Sequence, residues 1–390
     1  MAVASPERLR DDLVRLMHRS PGVRDFSLGA ARILHRAVPF DGVCVLTMDP
    51  ATLLPTGEVV EDGLPQAASP RMAEIEIRED DFNKFDALAR TVRPAASLSE
   101  ATGGELDRSL RHRELRQPHG FGDELRAALV GESATWGGLT LLRTSDHGDF
   151  APADADVVAS VARYVAEGLR RAILLTALSA EGDDHGEPDG LVLLAGDNSI
   201  TLANPAAERW LAELRAGGRP GEHLPPVVVA VASRARSMAE GRAPEGPIAR
   251  ARVRTAAGHW LVVRGSVLGD DAAAPTAVIL EPARPPELAP LIADAYGLTE
   301  RERAVTQLVA QGLPTSAVGG RLHISPWTVQ DHLKSIFEKV GVSTRGELIA
   351  RVFFEHYAPR LTRGAPVGTD GWFAPSPGER SGAPDRGGDA

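Results

Sequence analysis

Apolar residues recur along the chain at two spacings, and the switches between them outline its organisation. Residues 5–18 place Leu9, Leu13, Leu16 and Met17 on one face at helical spacing, with Pro6 at a helix start. Residues 26–38 (FSLGAARILHRAV) repeat the pattern. FDGVCVLTMDP, at 40–50, is a short apolar run closed by Asp-Pro, which predicts a strand and then a turn. Residues 70–90 read as a helix that is mostly charged. Residues 123–130 and 136–143 read as two strands across a hairpin-like loop. From Pro152 to about Leu178, Val157, Val158, Val161, Val165 and Leu169 form the stripe of a long helix, with Asp154 near its start.

The polar, acidic stretch SAEGDDHGEPD at 179–189 breaks the periodicity and reads as a linker. A second unit follows. GLVLLAG and ITLAN are strands across a turn at Asp197-Asn198, and PAAERWLAEL is a helix with Pro205 in its first turn. ARVRTAA, HWLVVRGSVL and TAVILEP, between 251 and 282, predict three more strands, the first two joined at Gly258-His259. Residues 283–297 lead to a helical block at 298–357. The last 33 residues hold 12 Gly or Pro without periodicity, which predicts a disordered tail.

Composition narrows the chemistry. The chain is 390 residues long, 43% apolar and 25% charged, which suits two or three domains. A single Cys44 excludes an internal disulfide and a Cys-rich zinc site. No run approaches the ~18 apolar residues of a membrane helix. The N-terminus turns charged within ten residues, unlike a secretory signal, so a cytoplasmic address is the default expectation. The three lysines are Lys84, Lys334 and Lys339, and none follows a glycine, so there is no phosphate-binding GxxxxGK[ST] loop. The net charge of -10 argues against wholesale attraction to nucleic acid but leaves room for one small DNA-binding module. Residues 298–357 hold seven Arg or Lys against six Asp or Glu.

That block reads as four short helices. Thr299 and Glu302 have capping-box spacing, Val305, Leu308 and Val309 form the buried stripe, and Gly312 is a C-cap. A second helix covers 315–322, with Val318 and Leu322 inward, and His323-Ile324 is the turn. Ser325 caps the third helix, Pro326 opens it and Gly341 ends it. Ser343 or Thr344 starts a fourth. Two helices across a tight turn make the helix-turn-helix pattern. On the third helix, Val329, Leu333, Ile336, Phe337 and Val340 share the inner face, and Gln330, Asp331 and Lys334 the outer. Gln can bond adenine, Asp can accept from cytosine N4, and Lys can bond guanine or phosphate. Thr328 and His332 border that face and are expected to hold phosphates.

The segment resembles the LuxR-type (GerE- or NarL-type) DNA-binding domain over about 60 residues. The carriers are Leu298-Thr299-Glu300-Arg301-Glu302, Gln311-Gly312, Arg321-Leu322-His323-Ile324-Ser325-Pro326, Thr328-Val329, His332-Leu333, Ile336, Lys339, Gly341-Val342 and Arg345. The resemblance implies double-stranded DNA as a partner, a homodimer formed through the fourth helix (Leu348, Ile349, Val352), and RNA polymerase as a further contact. It places Gln330, Asp331 and Lys334 at bases, and Ser325, Trp327, Thr328 and Lys339 at the DNA backbone. The chain departs from the family pattern at Gln330, at Asp331, at positions 316 and 317, and at Gly319-Gly320, where the family usually has alanines and where each glycine is expected to cost ~1 kcal/mol in an exposed helix.

Residues 22–176 resemble a GAF domain, through Phe40-Asp41-Gly42, Asp49-Pro50, the run from Gly120 to Arg126, Trp136-Gly137 and Phe150-Ala151-Pro152-Ala153-Asp154. Residues 188–282 resemble a PAS domain, through Asp197, the run from Ala203 to Glu208, and the later strands. The expected order is therefore a helix at 1–21, an α/β GAF-like unit at 22–176, a linker at 177–187, an α/β PAS-like unit at 188–282 and a linker at 283–294. An all-α four-helix module at 295–357 and a disordered tail at 358–390 complete it. Neither upstream resemblance names a ligand or cofactor. Gly120-Phe121-Gly122 has Leu125 where a dinucleotide fingerprint needs a third glycine. Cys44 reads as a buried structural cysteine. His112, His119, His147 and His185 lack ligand spacing and read as surface residues, and Asp123, Glu124 and Asp154 as strand-end and cap residues rather than a catalytic pair.

The leading expectation is a transcription regulator, not an enzyme, whose upstream units sense a signal, such as an unknown small molecule, or hold a dimer, and control the DNA-binding module. A sensor or interaction protein whose helix-turn-helix does not bind DNA is the alternative, motivated by Asp331, the paired glycines and the acidic balance.

Overall fold

A computed structural model describes residues 5–19, 22–132, 134–178, 188–216, 223–242, 248–269, 274–283, 296–310 and 312–349. Residues 179–187 and 284–294 of the expected linkers and the expected tail at 358–390 lie outside the described residues. Two compact units divide the chain between Leu298 and Thr299.

The first unit begins with helices α1 (Pro6–His18) and α2 (Val23–His35), the second starting three residues before the apolar pattern does. Strands β1 (Gly42–Met48) and β2 (Pro55–Glu61) follow, then helices α3 (Ser69–Arg78) and α4 (Phe85–Leu88), strand β3 (Ala95–Ser97) and helix α5 (Leu98–Thr102). Strands β4 (Phe121–Val130) and β5 (Thr135–Thr144) and helix α6 (Pro152–Leu178) complete this half. The strands form one antiparallel sheet in the order β2-β1-β5-β4-β3. In α6, Ala155, Val158, Val161, Ala162, Val165, Ala166 and Leu169 recur every three or four residues and are buried. They pack with Leu9, Leu13 and Phe26 of α1 and α2 over the sheet residues Leu125, Leu129, Leu139 and Leu141. Each fully buried Val, Leu or Phe side chain contributes roughly 1.5–3 kcal/mol, so this layer fixes the sheet against its helices.

The charged helix expected at 70–90 stops at Arg78. Asn83 adopts a left-handed φ of 52°, and α4 resumes only at Phe85. The break brings Asp81 to a fully buried Arg111, whose backbone N–H donates to Asp81 Oδ2 at 2.9 Å. Arg111 Nε and Nη2 donate to Glu124 Oε1 at 2.7 and 2.6 Å, and Arg116 Nε to Glu124 Oε2 at 2.9 Å. Burial alone would push the Glu124 carboxyl up, but the guanidinium groups of Arg111, Arg116 and Arg126 outweigh it and hold the carboxyl well below the usual range. Glu124 is thus the centre of a buried ionic cluster, not the strand-end residue the sequence suggests. Asp123 is a loop staple, accepting from Ser99 N, Glu124 N and Phe150 N at 2.8–3.0 Å and from Ser99 Oγ at 2.6 Å. His112, expected at the surface, is buried, and burial pushes its pKa down. Cys44 is only half-buried, and His185 lies outside the described residues.

The second half holds β6 (Gly190–Leu194), β7 (Ile200–Ala203), α7 (Pro205–Ala216), α8 (Pro226–Ala239), β8 (Arg250–Arg254), β9 (Trp260–Val267) and β10 (Thr276–Pro282). Its antiparallel order, β7-β6-β10-β9-β8, repeats that of the first sheet when each is counted from its own first strand. Sequence pattern gave no element at α8. Its valines are β-branched and its apolar residues lie on every side, so it lacks the polar face of a surface helix. The tertiary structure supplies the reason, since α8 packs on α3 and β2 of the first half and on β8, β9 and β10 of the second. Arg236 of α8 donates to Thr276 Oγ1, Asn198 Oδ1 and the Ala195 carbonyl at 2.8–3.0 Å, which satisfies its buried guanidinium.

Among the described residues no helix is long and apolar enough to cross a membrane, and no three His, Cys, Asp or Glu side chains converge as a metal site requires. The second unit contains α9 (Glu300–Ala310), α10 (Thr315–Leu322), α11 (Pro326–Val340) and α12 (Arg345–Ile349).

Candidate nucleic-acid interface

The four helices are set by their caps. Thr299 N donates to Glu302 Oε2 at 2.7 Å and Glu302 N to Thr299 Oγ1 at 3.3 Å, the reciprocal bonds of a capping box. Gly312, at a φ of 79°, follows α9. His323 ends α10 in the left-handed region with φ 53°, and Ile324 N returns to the Gly319 carbonyl at 3.0 Å. Ser325 caps α11, its hydroxyl accepting from Thr328 N at 3.0 Å, and Gly341 closes that helix at φ 71°. Glu347 N donates to Thr344 Oγ1 at 3.1 Å, while the Glu347 carboxylate accepts from Ser343 N at 2.8 Å. Thr344 is therefore the cap of α12, and Ser343 the backbone its box closes on.

The glycine pair in α10 has two different meanings. Gly319 is buried, and a Cβ there would lie 2.7 Å from the Ile324 carbonyl oxygen, so the turn crosses the helix where a side chain would stand. Gly320 is exposed with open space around it, so the expected glycine penalty applies to it alone. Val305, Val309, Val318, Val329, Leu333, Ile336 and Val340 are buried, while Leu308, Leu322 and Phe337, expected inward, are half-buried.

Gln330, Asp331 and Lys334 are all exposed on α11. Residues 330 and 334 lie one turn apart on the same face, with 331 beside them. Gln330 Nε2 makes one long bond, 3.4 Å, to Thr315 Oγ1 of α10. Trp327 is 74% exposed in the first turn of the helix, beside an exposed Ser325 and half-buried Thr328 and His332. An indole this open on a helix N-terminus is available to a partner rather than to the core.

Two expected contacts are placed otherwise. Lys339, expected at the DNA backbone, donates from Nζ to Glu302 Oε2 at 2.7 Å. Ser335 Oγ donates to the other oxygen of Glu302, also at 2.7 Å. Burial would push the Glu302 carboxyl up, yet the bonds from Lys339, Ser335 and Thr299 bring it down to about 2. The sequence marked Glu302 as a cap only. Its second role, tying the start of α9 to the end of α11, needed the fold, although Ser335 and Lys339 at i and i+4 share a helix face. Leu348, expected on a dimer face, is 1% exposed and belongs to the interior of its own unit. Ile349 is half-buried, and Val352 lies outside the described residues. Sequence reasoning named Arg301 and Arg345 but not what they do: Arg301 Nη2 donates to the Leu322 carbonyl at the end of α10 at 2.9 Å, and Arg345 donates to the Leu313 carbonyl between α9 and α10.

Comparison with known proteins bears on this segment alone. Residues 297–352 match the family described as bacterial regulatory proteins, luxR family. The transcriptional regulatory protein UhpA of Escherichia coli is 43% identical over 56 residues, 14% of this chain and 29% of that protein. The nitrate/nitrite response regulator protein NarL of Escherichia coli is 41% identical over 54 residues, 14% of this chain and 25% of that protein. This chain thus spans less than a third of the length of either relative. The crystal structure of Escherichia coli SdiA covers 90% of this chain and 97% of its own at 11% identity and a TM-score of 0.29, too low to relate the two architectures. With the capped helix pair, the tight turn and the exposed face of α11 in place, residues 297–352 are a LuxR-family helix-turn-helix module.

Proposed function

We propose that the chain is a sequence-specific DNA-binding transcription regulator in which the first unit controls the helix-turn-helix of the second. One observation carries the reading: Gln330, Asp331 and Lys334 stand exposed on a helix whose N-terminus is capped by Ser325. A helix entering the major groove meets base edges with that part of its surface, and its free N–H groups face phosphate. Gln330 reads adenine, Lys334 reads guanine or a phosphate, and Asp331 accepts from cytosine and disfavours sequences that cannot donate to it. Ser325, Trp327, Thr328 and His332 hold the DNA backbone.

The two sheets of the first unit, with their shared strand order, act as GAF-like and PAS-like sensor units. A homodimer presents two recognition helices to half-sites about one helical turn apart, and a signal shifts the population that does so. Ile349 and Val352 supply the dimer face. RNA polymerase is the further partner, and the protein works in the cytoplasm.

The experiment is selection of random duplexes by the full chain, followed by binding at two salt concentrations. Enrichment of a two-fold symmetric motif, with affinity falling steeply with salt, supports the reading. No enrichment, with only weak salt-dependent binding, favours a protein-contact role for the module, a role consistent with Lys339 being held by Glu302 rather than offered to DNA.

A further inference from the structure

The face of β8 that meets the first sheet has an unusual electrostatic imbalance. Side chains alternate along a strand, so Ala251 and Val253 enter the core of the second half while Arg250, Arg252 and Arg254 take the other side. Arg252 is fully matched there. Its backbone N and Nε donate to Asp49 Oδ2 at 2.7 and 2.9 Å, and Nη2 donates to Oδ1 at 2.6 Å. Arg254, two residues on, is not. Among the described residues its hydrogen bond is from Nε to the Gly258 carbonyl at 3.1 Å, and no carboxylate pairs with it. It is half-buried, and that burial alone brings the guanidinium down to about 10. A half-buried cation that no carboxylate of the described residues faces is unfavourable, and such a group in a cleft suits an anionic ligand.

The surroundings define the rest of that anion. Arg254 lies directly across the ladder from Trp260, so their side chains share a face. Trp260 packs against Trp136, which is 1% exposed on β5 of the first sheet. Arg254, the two indoles, Met48, Val59 and Pro226 border a cavity of about 350 Å³, at the small end of the range for organic ligands. The cavity beneath α3 on the first sheet is only about 80 Å³, room for a few waters. Among the described residues, four arginines border the cavity at Arg254 against three carboxylates. Asp49 is taken by Arg252, Glu58 accepts from Ser69 Oγ at 3.2 Å, and Asp25 is exposed at the mouth. The balance leaves one positive charge beside a mainly apolar, aromatic wall.

We propose that this cleft binds a small aromatic monocarboxylate, its carboxylate on the fork of the Arg254 guanidinium and its ring against Trp260, which the buried Trp136 backs. A planar guanidinium presents two parallel donors that fit a carboxylate. The apolar wall and single excess charge favour a monoanion with a ring over free phosphate. The site stands independently of the DNA-binding reading, because its test reads the cleft and not DNA.

The test is calorimetric titration of the full chain with benzoate, phenylacetate and indole-3-acetate. Indole-3-acetamide serves as the neutral counterpart of the last, and inorganic phosphate as the bare anion. At least one acid binds saturably at one site per chain, at least tenfold more tightly than indole-3-acetamide and than phosphate. Arg254→Gln weakens that acid at least tenfold while leaving the amide unchanged, and Trp260→Leu weakens acid and amide alike. Thermal unfolding of each variant separates loss of binding from loss of fold. Arg254→Lys, which keeps the charge but loses the fork, falls between wild type and Arg254→Gln and replaces the latter should it not fold. No saturable binding of any of the three acids, equal affinity in a folded Arg254 variant, or phosphate binding as tightly as the acids would each overturn the proposal.

Discussion

Replacing Glu302 by Gln tests how the second unit is held together. The carboxyl titrates near 4.5 in an unfolded chain and at about 2 in the fold, a difference worth about 3 kcal/mol at neutral pH. Because the folded value is the lower one, this stability is present in full above pH 4.5 or so and is lost as pH falls towards 2. Gln retains the shape and an accepting oxygen but removes the charge that faces Lys339. Breaking a buried pair usually costs about 3–5 kcal/mol, but the Lys339 side chain is 30% exposed and can take up water, so a loss of about 2–3 kcal/mol is expected. Native-state amide exchange of residues 326–340 in the full chain reads this directly. The protected amides should exchange roughly 30- to 150-fold faster in E302Q at neutral pH. The gap between wild type and variant should narrow as pH is lowered from 5 towards 2. A change of less than threefold, or a gap independent of pH, would refute the view that this carboxylate ties α9 to α11.

Lys334→Ala should weaken binding to a selected duplex by about 1–3 kcal/mol and relax base preference at one position, with thermal stability unchanged, since Lys334 is exposed and bonds no other described residue. Lys339→Ala should do the reverse, lowering protection of α11 while leaving the salt dependence of DNA binding nearly intact; a salt slope shallower by about one would restore it as a phosphate contact. Arg111→Met should destabilise the first unit by about 3–5 kcal/mol, seen in denaturant unfolding, because it takes the buried guanidinium from Asp81 and leaves Glu124 with Arg116 alone; an unchanged midpoint would show the cluster to be dispensable. Gly320→Ala should raise stability by about 1 kcal/mol in the same exchange measurement, since a methyl group there meets open space; a loss would mean that the helix needs its glycine.

Local pattern was enough for much of this protein. Capping residues and helical spacing located α9, α10 and α11, because Thr299, Ser325, Pro326 and Gly341 act on backbone groups within a turn of themselves. The outward face with Gln330, Asp331 and Lys334 follows from the same periodicity, and α6 was legible to both ends because a long apolar stripe leaves little freedom of placement. What needed the tertiary structure involves partners far apart in sequence. Glu302 meets Lys339 only once α9 and α11 cross, and that pairing engages the lysine within its own unit. Leu348 was expected on a dimer face from the family resemblance alone, and the fold turns it into the interior of its own unit. The α8 segment carries no readable period, since a helix enclosed on all sides has no polar face to mark it. Arg252 and Arg254 differ by two positions on one strand and are indistinguishable in sequence. Only the approach of Asp49 from the end of β1 neutralises the first, while no carboxylate of the described residues pairs with the second. The sequence by itself determined the elements whose signals are local. The long-range meeting of charges and faces decided which residues hold the fold and which remain available to a ligand or to DNA.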